Sequence, residues 1–427
     1  MESVGIQGSR LFLFRGNVQP KRKQIGALEM SILFDEKKKV FHLKTPHTSY
    51  VMAVADNKYL AHVYWGRKIR TPKLENALLY RAIVFSAMAA PDNTYSLDYV
   101  KQEYPTGCNT DYRTPAISVV YADGTRVCDL QYEAYRIVAG KPKLPGLPAV
   151  YVEQEDEADT LEITLTDALK QLKVILSYTV YNTMDVITRH ATVVNQGTEP
   201  VALEKVMSAS VDFEGQNYDF LQLSGAWGRE RHIERTPLHT GMQKIEANRG
   251  ASSHMQNPFL VMCDRNAAET NGNVYAMNFV YSGNFEAGIE VDQIFRPRMF
   301  MGLNSYDFAW QLGVGEAFTA PEVVMVYSDE GFGKMSRIYH RLYRTRLVRG
   351  RYRDEPRPIL CNNWEATYFD FTEEKILEIA EEAKALGIEL FVLDDGWFGK
   401  RDDDNSGLGD WYVNEKKLGE TLGGLVK

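Results

Sequence analysis

The pattern of apolar and polar residues divides the chain into a long part rich in strands and a shorter part with helical periodicity. Between residues 31 and 328, short apolar or alternating runs are separated by Gly, Asn, Asp and Pro, which is typical of β-strands joined by turns. The clearest runs are KKVFHL, SYVMAV, AISVVYA, LEITLTD, LKVILSYTVY, VITRHATVVN, YAMNFVYSG and EVVMVYS. LKVILSYTVY alternates in part and is continuously apolar in part, as expected for a strand inside stacked sheets. We therefore predict a large antiparallel β region folded as a sandwich of two sheets.

The periodicity changes at Gly331, where the sequence predicts a helix. In GKMSRIYHRLYRTRLVRG the apolar residues recur at helical spacing and the arginines fall on the outer face. The predicted inner face consists of Met335, Ile338, Tyr339, Leu342, Tyr343 and Leu347. Residues 349–358 follow as a predicted linker.

The last part of the chain has the pattern of a β-α-β unit. Ile359–Cys361 and Ile388–Leu393 are predicted to be buried strands. A helix lies between them, because Asp370 or Thr372 can cap its start and Gly387 can end it. Its predicted inner face consists of Ile376, Ile379, Ala380, Ala383 and Leu386.

Acidic and aromatic residues directly after these two strands form the main candidate site. The crossover between parallel strands is right-handed, so the residues just beyond both strands emerge at one edge of the sheet. Trp364 should therefore share a face with Asp394 and Asp395. Ligands of parallel α/β sheets and barrels bind at this edge. The local pattern alone leaves open a second interpretation, in which Asp394-Asp395-Gly396 is only a polar turn.

Charge and composition narrow the function classes. A formal net charge of -8 and a pI near 5.6 argue against a protein that binds nucleic acid or anionic membranes. No apolar run approaches the roughly 18 residues that a membrane span requires, and the N-terminus does not resemble a signal peptide. The four cysteines are scattered without a C-x-x-C pair, so we predict free thiols in a reducing, cytoplasmic location.

The acidic run near the end of the chain invites comparison with metal and phosphate sites. Asp402, Asp404 and Ser406 fit the first half of an EF-hand, but Val413 occupies the twelfth position, where a bidentate glutamate is needed. The eight histidines show no H-x-x-x-H spacing, and no glycine-rich phosphate loop is present. We therefore predict no metal site and no cofactor.

Carbohydrate recognition is the interpretation that remains. Carboxylates accept hydrogen bonds from sugar hydroxyls, and aromatic rings cover the apolar C–H faces of a sugar ring. Three of the six tryptophans, Trp364, Trp397 and Trp411, lie close to the acidic run. Each of them could instead be a core residue.

Several long motifs resemble those of the glycoside hydrolase family 36 α-galactosidases. NNWEATYFDF, ELFVLDDGWFGKRDDD and LGDW resemble the opening of that family's catalytic barrel, whereas QLSGAWGRERH, RGASSHMQNPF and VYSGNF resemble its N-terminal β-supersandwich. The resemblance implies an antiparallel β-supersandwich followed by the start of a (β/α)8 TIM barrel. The implied segments are an extension outside the family pattern (1–29), the β-supersandwich (30–330), a linker helix (331–356) and an incomplete barrel (357–427). Disorder of the extension is an open alternative.

The resemblance also implies an activity and a set of sugar-binding residues. The implied reaction is retaining hydrolysis of terminal α-D-galactosyl residues from sugars of the melibiose or raffinose type, by two aspartates about 5–5.5 Å apart. By resemblance, Asp394 and Asp395 bind galactose hydroxyls, and Trp364 and Trp411 form walls of the pocket. The resemblance also implies that Trp227 reaches the pocket from the sandwich domain of a neighbouring subunit in a homotetramer.

Two departures from the family pattern change what we expect of this chain. The family's sandwich contributes an acidic residue that the segment 78–84 does not offer. The family's nucleophile lies in a K-W-D-M-N motif and its acid/base lies further on, and neither is found before Lys427. We therefore expect no catalytic residue within the chain and no turnover by it alone. We also expect disorder or poor solubility after about residue 357, because strand edges and apolar faces would be uncovered.

Two alternatives to α-galactosidase activity stay open at this point. A related enzyme could act on α-linked N-acetylgalactosamine or transfer galactosyl groups, because the pocket walls that select the substituent lie largely beyond Lys427. From a different class of function, the chain could be a sugar-binding sandwich without catalysis. Galactose binding in the absence of turnover would favour the second alternative.

Overall fold

The computed structural model describes residues 31–56, 58–70, 96–108, 110–252, 254–419 and 422–426. The chain divides into two compact units, Met1–Val348 and Arg349–Lys427. The predicted extension at residues 1–29 and the segment 78–84 lie outside the described residues.

The first unit is built from strands that pair antiparallel throughout its described residues. All eight runs predicted as strands contribute to these elements, although the run YAMNFVYSG leaves the sheet at Phe279. The strands are β1 (Ile32–Asp35), β2 (Val40–Lys44), β3 (Thr48–Ala55), β4 (Tyr59–Arg67), β5 (Ile117–Tyr121), β6 (Gln131–Ala139), β7 (Ala158–Asp167), β8 (Leu172–Tyr181), β9 (Ile187–Asn195), β10 (Val201–Asp212), β11 (Tyr218–Ala226), β12 (Arg229–Pro237), β13 (Gly241–Ala247), β14 (Gln256–Asp264), β15 (Val274–Phe279), β16 (Phe285–Val291), β17 (Pro297–Leu303), β18 (Trp310–Leu312), β19 (Ala317–Thr319) and β20 (Val323–Ser328).

These strands form three antiparallel sheets. The first has the order β1-β2-β3-β4, and the second has the order β13-β16-β17-β10-β18 with β5 also paired to β10. The third and largest has the order β12-β11-β14-β15-β20-β9-β8-β7-β6, and β19 pairs with β9. A single apolar core takes side chains from all three sheets.

Strand β8 shows how this core covers the sheets. In its first half Leu172, Val174 and Leu176 are buried, whereas Lys173 and Ile175 are only partly buried. From Leu176 onward every residue of the strand is buried, because that half is covered on both faces. The prediction of a strand inside stacked sheets is confirmed.

Two networks of charged side chains lie inside the first unit. Glu103 accepts hydrogen bonds of 2.7 Å from both Tyr50 and Tyr178, and its carboxylate lies 3.0 Å from the guanidinium of Arg189. All four side chains are fully buried. Burial alone would raise the pKa of Glu103, but the positive charge of Arg189 and a hydrogen bond from His62 outweigh it and hold the pKa below its ordinary value.

The second network joins β17 to β10 and to the segment before β5. Arg298 lies 2.6 Å from a carboxylate oxygen of Asp212 and 2.9 Å from one of Asp111, and Arg113 also pairs with Asp111 at 2.9 Å. Asp111 and Arg298 are 187 positions apart in the sequence. Buried charges of this kind stabilise a fold only while every member keeps its partner.

Helix α1 (Gly331–Arg346) lies against the large sheet. The hydroxyl of Tyr339 donates hydrogen bonds of 3.0 Å to the carbonyl oxygens of Ala276 and Val324. The rest of the predicted inner face joins the same apolar cluster, namely Met335, Ile338, Leu342, Tyr343 and Leu347. The helix therefore belongs to the first unit, which extends to Val348.

The second unit contains the predicted β-α-β arrangement. Its elements are β21 (Leu360–Asn362), α2 (Trp364–Thr367), α3 (Glu373–Ala385), β22 (Leu390–Val392), α4 (Glu415–Leu418) and α5 (Leu422–Leu425). Strands β21 and β22 pair in parallel, and α3 lies between them in the chain. Thr372 caps α3 by accepting a hydrogen bond from the backbone N–H of Lys375. These regular elements differ from the predicted disorder after about residue 357, whereas the alternative of poor solubility stays a prediction.

Two details of this unit also differ from prediction. Leu360 and Leu390 are exposed, against the prediction of buried strands, because a sheet of two strands leaves edges and part of its faces uncovered. Leu386 was assigned to the inner face of α3 but is 85% exposed, because the helix ends one residue earlier. Throughout the described residues, no helix is both long enough and apolar enough to span a bilayer.

Candidate functional site

The candidate site lies where the two parallel strands end. The side-chain amide of Asn362 donates a 2.6 Å hydrogen bond to Asp394 Oδ2, and its oxygen accepts one of 2.8 Å from the backbone N–H of Trp364. Asn363, which is fully buried, accepts a 2.7 Å hydrogen bond from the backbone N–H of Asp394. Trp364 and Asp394 therefore share one sheet edge, as the parallel pairing predicts, and two asparagines connect them.

The carboxylate of Asp395 is fixed through only one of its oxygens. Oδ1 accepts hydrogen bonds from Arg401 Nε at 2.6 Å and from the backbone N–H of Gly396 at 2.8 Å. Oδ2 accepts none from any described residue. The hydrogen bond from Arg401 lowers the pKa of Asp395, so this carboxylate is ionised and acts only as an acceptor near neutral pH. One oriented oxygen is thus available to a ligand.

Arg401 organises the acidic loop that follows. Its side chain is only 5% exposed, and its Nη1 donates hydrogen bonds to the carbonyl oxygens of Asp403 at 3.2 Å and Ser406 at 2.7 Å. Lys417 supports the same loop through an ion pair of 2.8 Å with Asp402. The aspartates at 402–404 are exposed and lie on the surface of the loop. Arg401 itself was not predicted, because a lone arginine in an acidic run looks like a surface charge.

The three tryptophans near the acidic run occupy different environments. Trp364 is partly buried and packs edge-on against Phe369, with ring centroids 4.9 Å apart. Trp397 packs against a small apolar core. Trp411 is 64% exposed beside Phe398, and no described hydrogen bond or ring contact joins it to Asp394 or Trp364. Trp364 thus lies at the strand ends, whereas the ring of Trp411 is exposed to solvent and has no described contact with them.

Trp227 belongs to the first unit and stands at the tip of the β11–β12 hairpin. Ala226 pairs with Arg229, so Trp227 and Gly228 form a two-residue turn. Gly225 is required beside this turn, because a Cβ there would lie 2.3 Å from the carbonyl oxygen of Arg229. Trp227 is 88% exposed, and every residue of β12 is exposed as well. The large aromatic side chain at the tip of the hairpin is therefore left exposed to solvent.

The chemistry available at the strand ends is hydrogen bonding. Both oxygens of Asp394 already accept one hydrogen bond each, from Asn362 and from the backbone N–H of Asp395, but a carboxylate oxygen has a second lone pair for a hydroxyl. In the described part of the chain no three acidic, histidine or cysteine side chains cluster in a way that could hold a metal ion. Two oriented carboxylates at the strand ends, where Trp364 also lies, suit a ligand with hydroxyl groups and an apolar face.

Comparison with known proteins gives strong matches along the chain. The family model for the glycosyl hydrolase family 36 N-terminal domain matches residues 58–313, and the melibiase model matches residues 317–427. The chain is 55% identical to alpha-galactosidase AgaA of Geobacillus stearothermophilus over 93% of this chain and 55% of that protein. It is 45% identical to alpha-galactosidase 1 of Pediococcus pentosaceus over 93% of this chain and 54% of that protein.

Solved structures agree with the sequence matches. An AgaA variant from Geobacillus stearothermophilus, in complex with raffinose, superposes with a TM-score of 0.88 at 56% identity and covers 91% of this chain and 54% of that one. AgaB from the same organism superposes with a TM-score of 0.89 at 55% identity, covering 93% and 54%. The chain thus spans about half the length of these relatives. The chain belongs to glycoside hydrolase family 36, because the model of that family's N-terminal domain matches most of the part that forms the antiparallel sheets.

Proposed function

We propose that this chain supplies the galactose-holding part of a retaining α-galactosidase that acts on sugars of the melibiose or raffinose type. The observation that carries the proposal is the pair Asp394 and Asp395, which is fixed at the ends of parallel strands with Asp395 Oδ2 open. Relatives named alpha-galactosidases, one of them solved in complex with raffinose, support it. The proposal concerns a longer protein, of which these residues form the part that binds the sugar.

Each residue has a specific proposed role. Asp394 and Asp395 accept hydrogen bonds from galactose hydroxyls, and Arg401 and Asn362 hold the two carboxylates in place. Trp364 and Trp411 cover the C–H faces of the sugar ring. Because an ionised carboxylate accepts stronger hydrogen bonds than a neutral oxygen, the lowered pKa of Asp395 suits this role.

We propose further that the second unit is the start of a (β/α)8 barrel. The parallel pairing of β21 with β22 and the melibiase match support this assignment. In such barrels ligands bind at the carboxyl ends of the strands, where Asp394 and Asp395 lie. The proposed arrangement is a β-supersandwich over residues 30–330, a linker over 331–356 and barrel sequence from residue 357.

The nucleophile and the acid/base are proposed to lie outside the 427 residues. Asp394 and Asp395 are adjacent and held by fixed donors, which suits binding more than nucleophilic attack. The sequence K-W-D, which the family resemblance requires for the nucleophile, does not occur in the chain. Sugar binding without turnover is therefore the expected behaviour of these residues.

The exposed tip of the β11–β12 hairpin supports a role in assembly. We propose that Trp227 reaches the sugar pocket of a neighbouring subunit in a homotetramer. An aromatic side chain that is almost fully exposed on a paired hairpin suits contact with another surface. The four free thiols support a reducing, cytoplasmic location.

Calorimetric titration of the chain with galactose tests this proposal. We expect binding, and we expect Asp395→Asn to weaken it at least about tenfold, because a neutral amide loses a charge-assisted hydrogen bond. Asp403→Asn is the matched control, since this exposed aspartate lies in the same loop and should leave the affinity unchanged. An assay with an aryl α-galactoside should give no turnover. Equal affinities for wild type and Asp395→Asn would refute the binding role, and turnover would refute the placement of the catalytic pair.

A further inference from the structure

A cleft on the first unit shares no residue with the candidate site around Asp394 and Asp395. Its volume is about 370 Å³, within the range of roughly 300–1,000 Å³ that small-molecule sites occupy. It lies between the loop after β15, residues 281–284, the loop after β17, residues 304–308, and the short strands β18 and β19. All of these residues belong to the first unit.

The cleft presents aromatic rings to the solvent. Trp310 on β18 is 49% exposed, and its ring centroid lies 5.2 Å from that of Phe318 on β19. Phe318 in turn lies 5.8 Å from Phe308, and Tyr306 on the neighbouring loop is also exposed. A connected aromatic surface of this kind offers flat apolar faces, which match the C–H face of a pyranose ring.

The loops around these rings are held by internal hydrogen bonds. The side chain of Asn304 donates a 3.0 Å hydrogen bond to the carbonyl oxygen of Ala247 and accepts one of 2.9 Å from the backbone N–H of Tyr306. On the other side, Asn284 accepts a 2.7 Å hydrogen bond from the backbone N–H of Gly250. The cleft is therefore largely preformed, which reduces the entropy lost on binding.

Two polar side chains of the cleft, Asn284 and Asp307, have groups that could form hydrogen bonds with a ligand. Asn284 uses its oxygen on Gly250, and its amide N–H groups donate to no described residue. The carboxylate of Asp307 is exposed and accepts no hydrogen bond from the described residues, and its backbone has a left-handed φ of 54°. The cleft thus offers both a donor and an acceptor for hydroxyl groups.

The charge of the lining selects among ligand classes. Asp307 is the single ionisable acid among the described lining residues, and these include no lysine, arginine or histidine. A phosphorylated or carboxylated ligand would therefore meet no opposite charge there. Rings, one acid and one amide in a preformed cleft fit a neutral ligand that carries many hydroxyls.

We propose that this cleft binds a short neutral oligosaccharide, with Trp310 stacking on a sugar ring and Asp307 and Asn284 binding hydroxyls. The first unit then carries a carbohydrate-binding site of its own. This site does not depend on the proposed function, because it shares no residue with the strand ends around Asp394.

Fluorine NMR on the full chain labelled with 5-fluorotryptophan tests the proposal. The six tryptophan resonances are separate probes, and Trp310→Phe identifies the signal of Trp310. Titration with raffinose or maltotriose should shift that signal in a saturable manner. In Asp307→Asn and in Tyr306→Ala the affinity reported by Trp310 should fall at least about tenfold. Tyr112→Ala, which removes an exposed tyrosine elsewhere, is the matched control and should change nothing.

The two proposed sites are distinguished in the same experiment. Asp395→Asn should abolish the response of the Trp364 signal to raffinose and leave that of Trp310 intact. A Trp310 signal that moves with neither sugar would overturn the cleft proposal whatever Trp364 does. A signal that instead depends on protein concentration, with a doubled mass by light scattering, would assign the cleft to a second copy of the chain and would also overturn it.

Discussion

The two units differ in how much apolar surface they bury. In the first unit a continuous core runs through three sheets, and large side chains such as Phe41, Tyr178 and Phe285 are fully buried. Among the described residues of the second unit, the buried apolar side chains are Phe371, Ile376, Ala383, Phe398 and Leu418. Since burial of apolar surface is the main stabilising contribution to folding, the first unit should be far more stable than the second.

The difference shows that the large buried core and the open carboxylate of the candidate site lie in different units of the chain. Charged groups inside the first unit, such as Glu103 and Arg298, pair with one another and hold segments distant in the sequence together. Charged groups in the second unit, such as Asp395, are oriented by a partner but keep one side open. Local hydrogen bonds therefore have to orient the candidate site, because a small core gives it little support.

Arg298→Met should cause the largest change, and it should affect only the first unit. The change leaves Arg113 as the remaining cation beside Asp111 and Asp212, and breaking a buried ion pair destabilises a fold by about 3–5 kcal/mol. Urea unfolding, followed by tryptophan fluorescence and by hydrogen exchange of each unit, measures the effect. Arg126→Met is the control, because its pair with Glu204 is exposed and should contribute nothing measurable. Equal losses for the two variants would contradict the importance of the buried network.

Leu418→Ala should destabilise the second unit by about 2–5 kcal/mol, the usual range for a leucine removed from a core. Because few apolar side chains are buried in the described part of that unit, we expect this loss to unfold residues 349–427 while the sheets of the first unit stay protected. Hydrogen exchange read by mass spectrometry resolves the two units. Leu386→Ala is a suitable comparison, since that leucine is exposed. If protection of both units falls together, they unfold as one and the comparison fails.

Acid should destabilise the first unit in a defined pH window. Burial works to raise the pKa of Asp111 and Asp212, but Arg298 and Arg113 outweigh it and lower both values in the folded state. Carboxylates with a lowered folded pKa stabilise the fold above their unfolded pKa of about 4, and this contribution is lost as the pH falls further. The unfolding midpoint in urea should therefore decrease steeply below about pH 4. Asp111→Asn should be less stable at pH 7 but show a shallower decrease.

Arg401→Lys should weaken galactose binding about tenfold, with less effect on unfolding than Leu418→Ala. Lysine keeps the positive charge but cannot donate to Asp395, Asp403 and Ser406 in the geometry of a guanidinium. Calorimetric titration gives the affinity, and circular dichroism checks that the fold is retained. Lys400→Met, at the exposed neighbouring position, is the control. Unchanged affinity in Arg401→Lys would show that orientation of Asp395 does not depend on the guanidinium.

Local patterns were sufficient to predict much of the fold. The strand runs and the inner face of α1 follow from spacing over two to four residues, which backbone geometry translates directly into faces. The sequence offered Asp370 or Thr372 as the cap of α3, and the structure uses Thr372. The shared edge of Trp364 and Asp394 also followed, because parallel strands place their ends together. Leu386 was misplaced because helix ends vary by a residue or two and only the cap geometry decides them.

What the sequence by itself determined is the type of each element and the residue types at the candidate site. What only the tertiary structure decided is which of these residues meet. Asn362 reaches Asp394 across 32 positions, and Arg298 reaches Asp111 across 187. Such pairings depend on how the sheets are ordered and on which polar groups are left inside when apolar surface is buried. No periodicity along the chain encodes that outcome, because it is a property of contacts between distant segments.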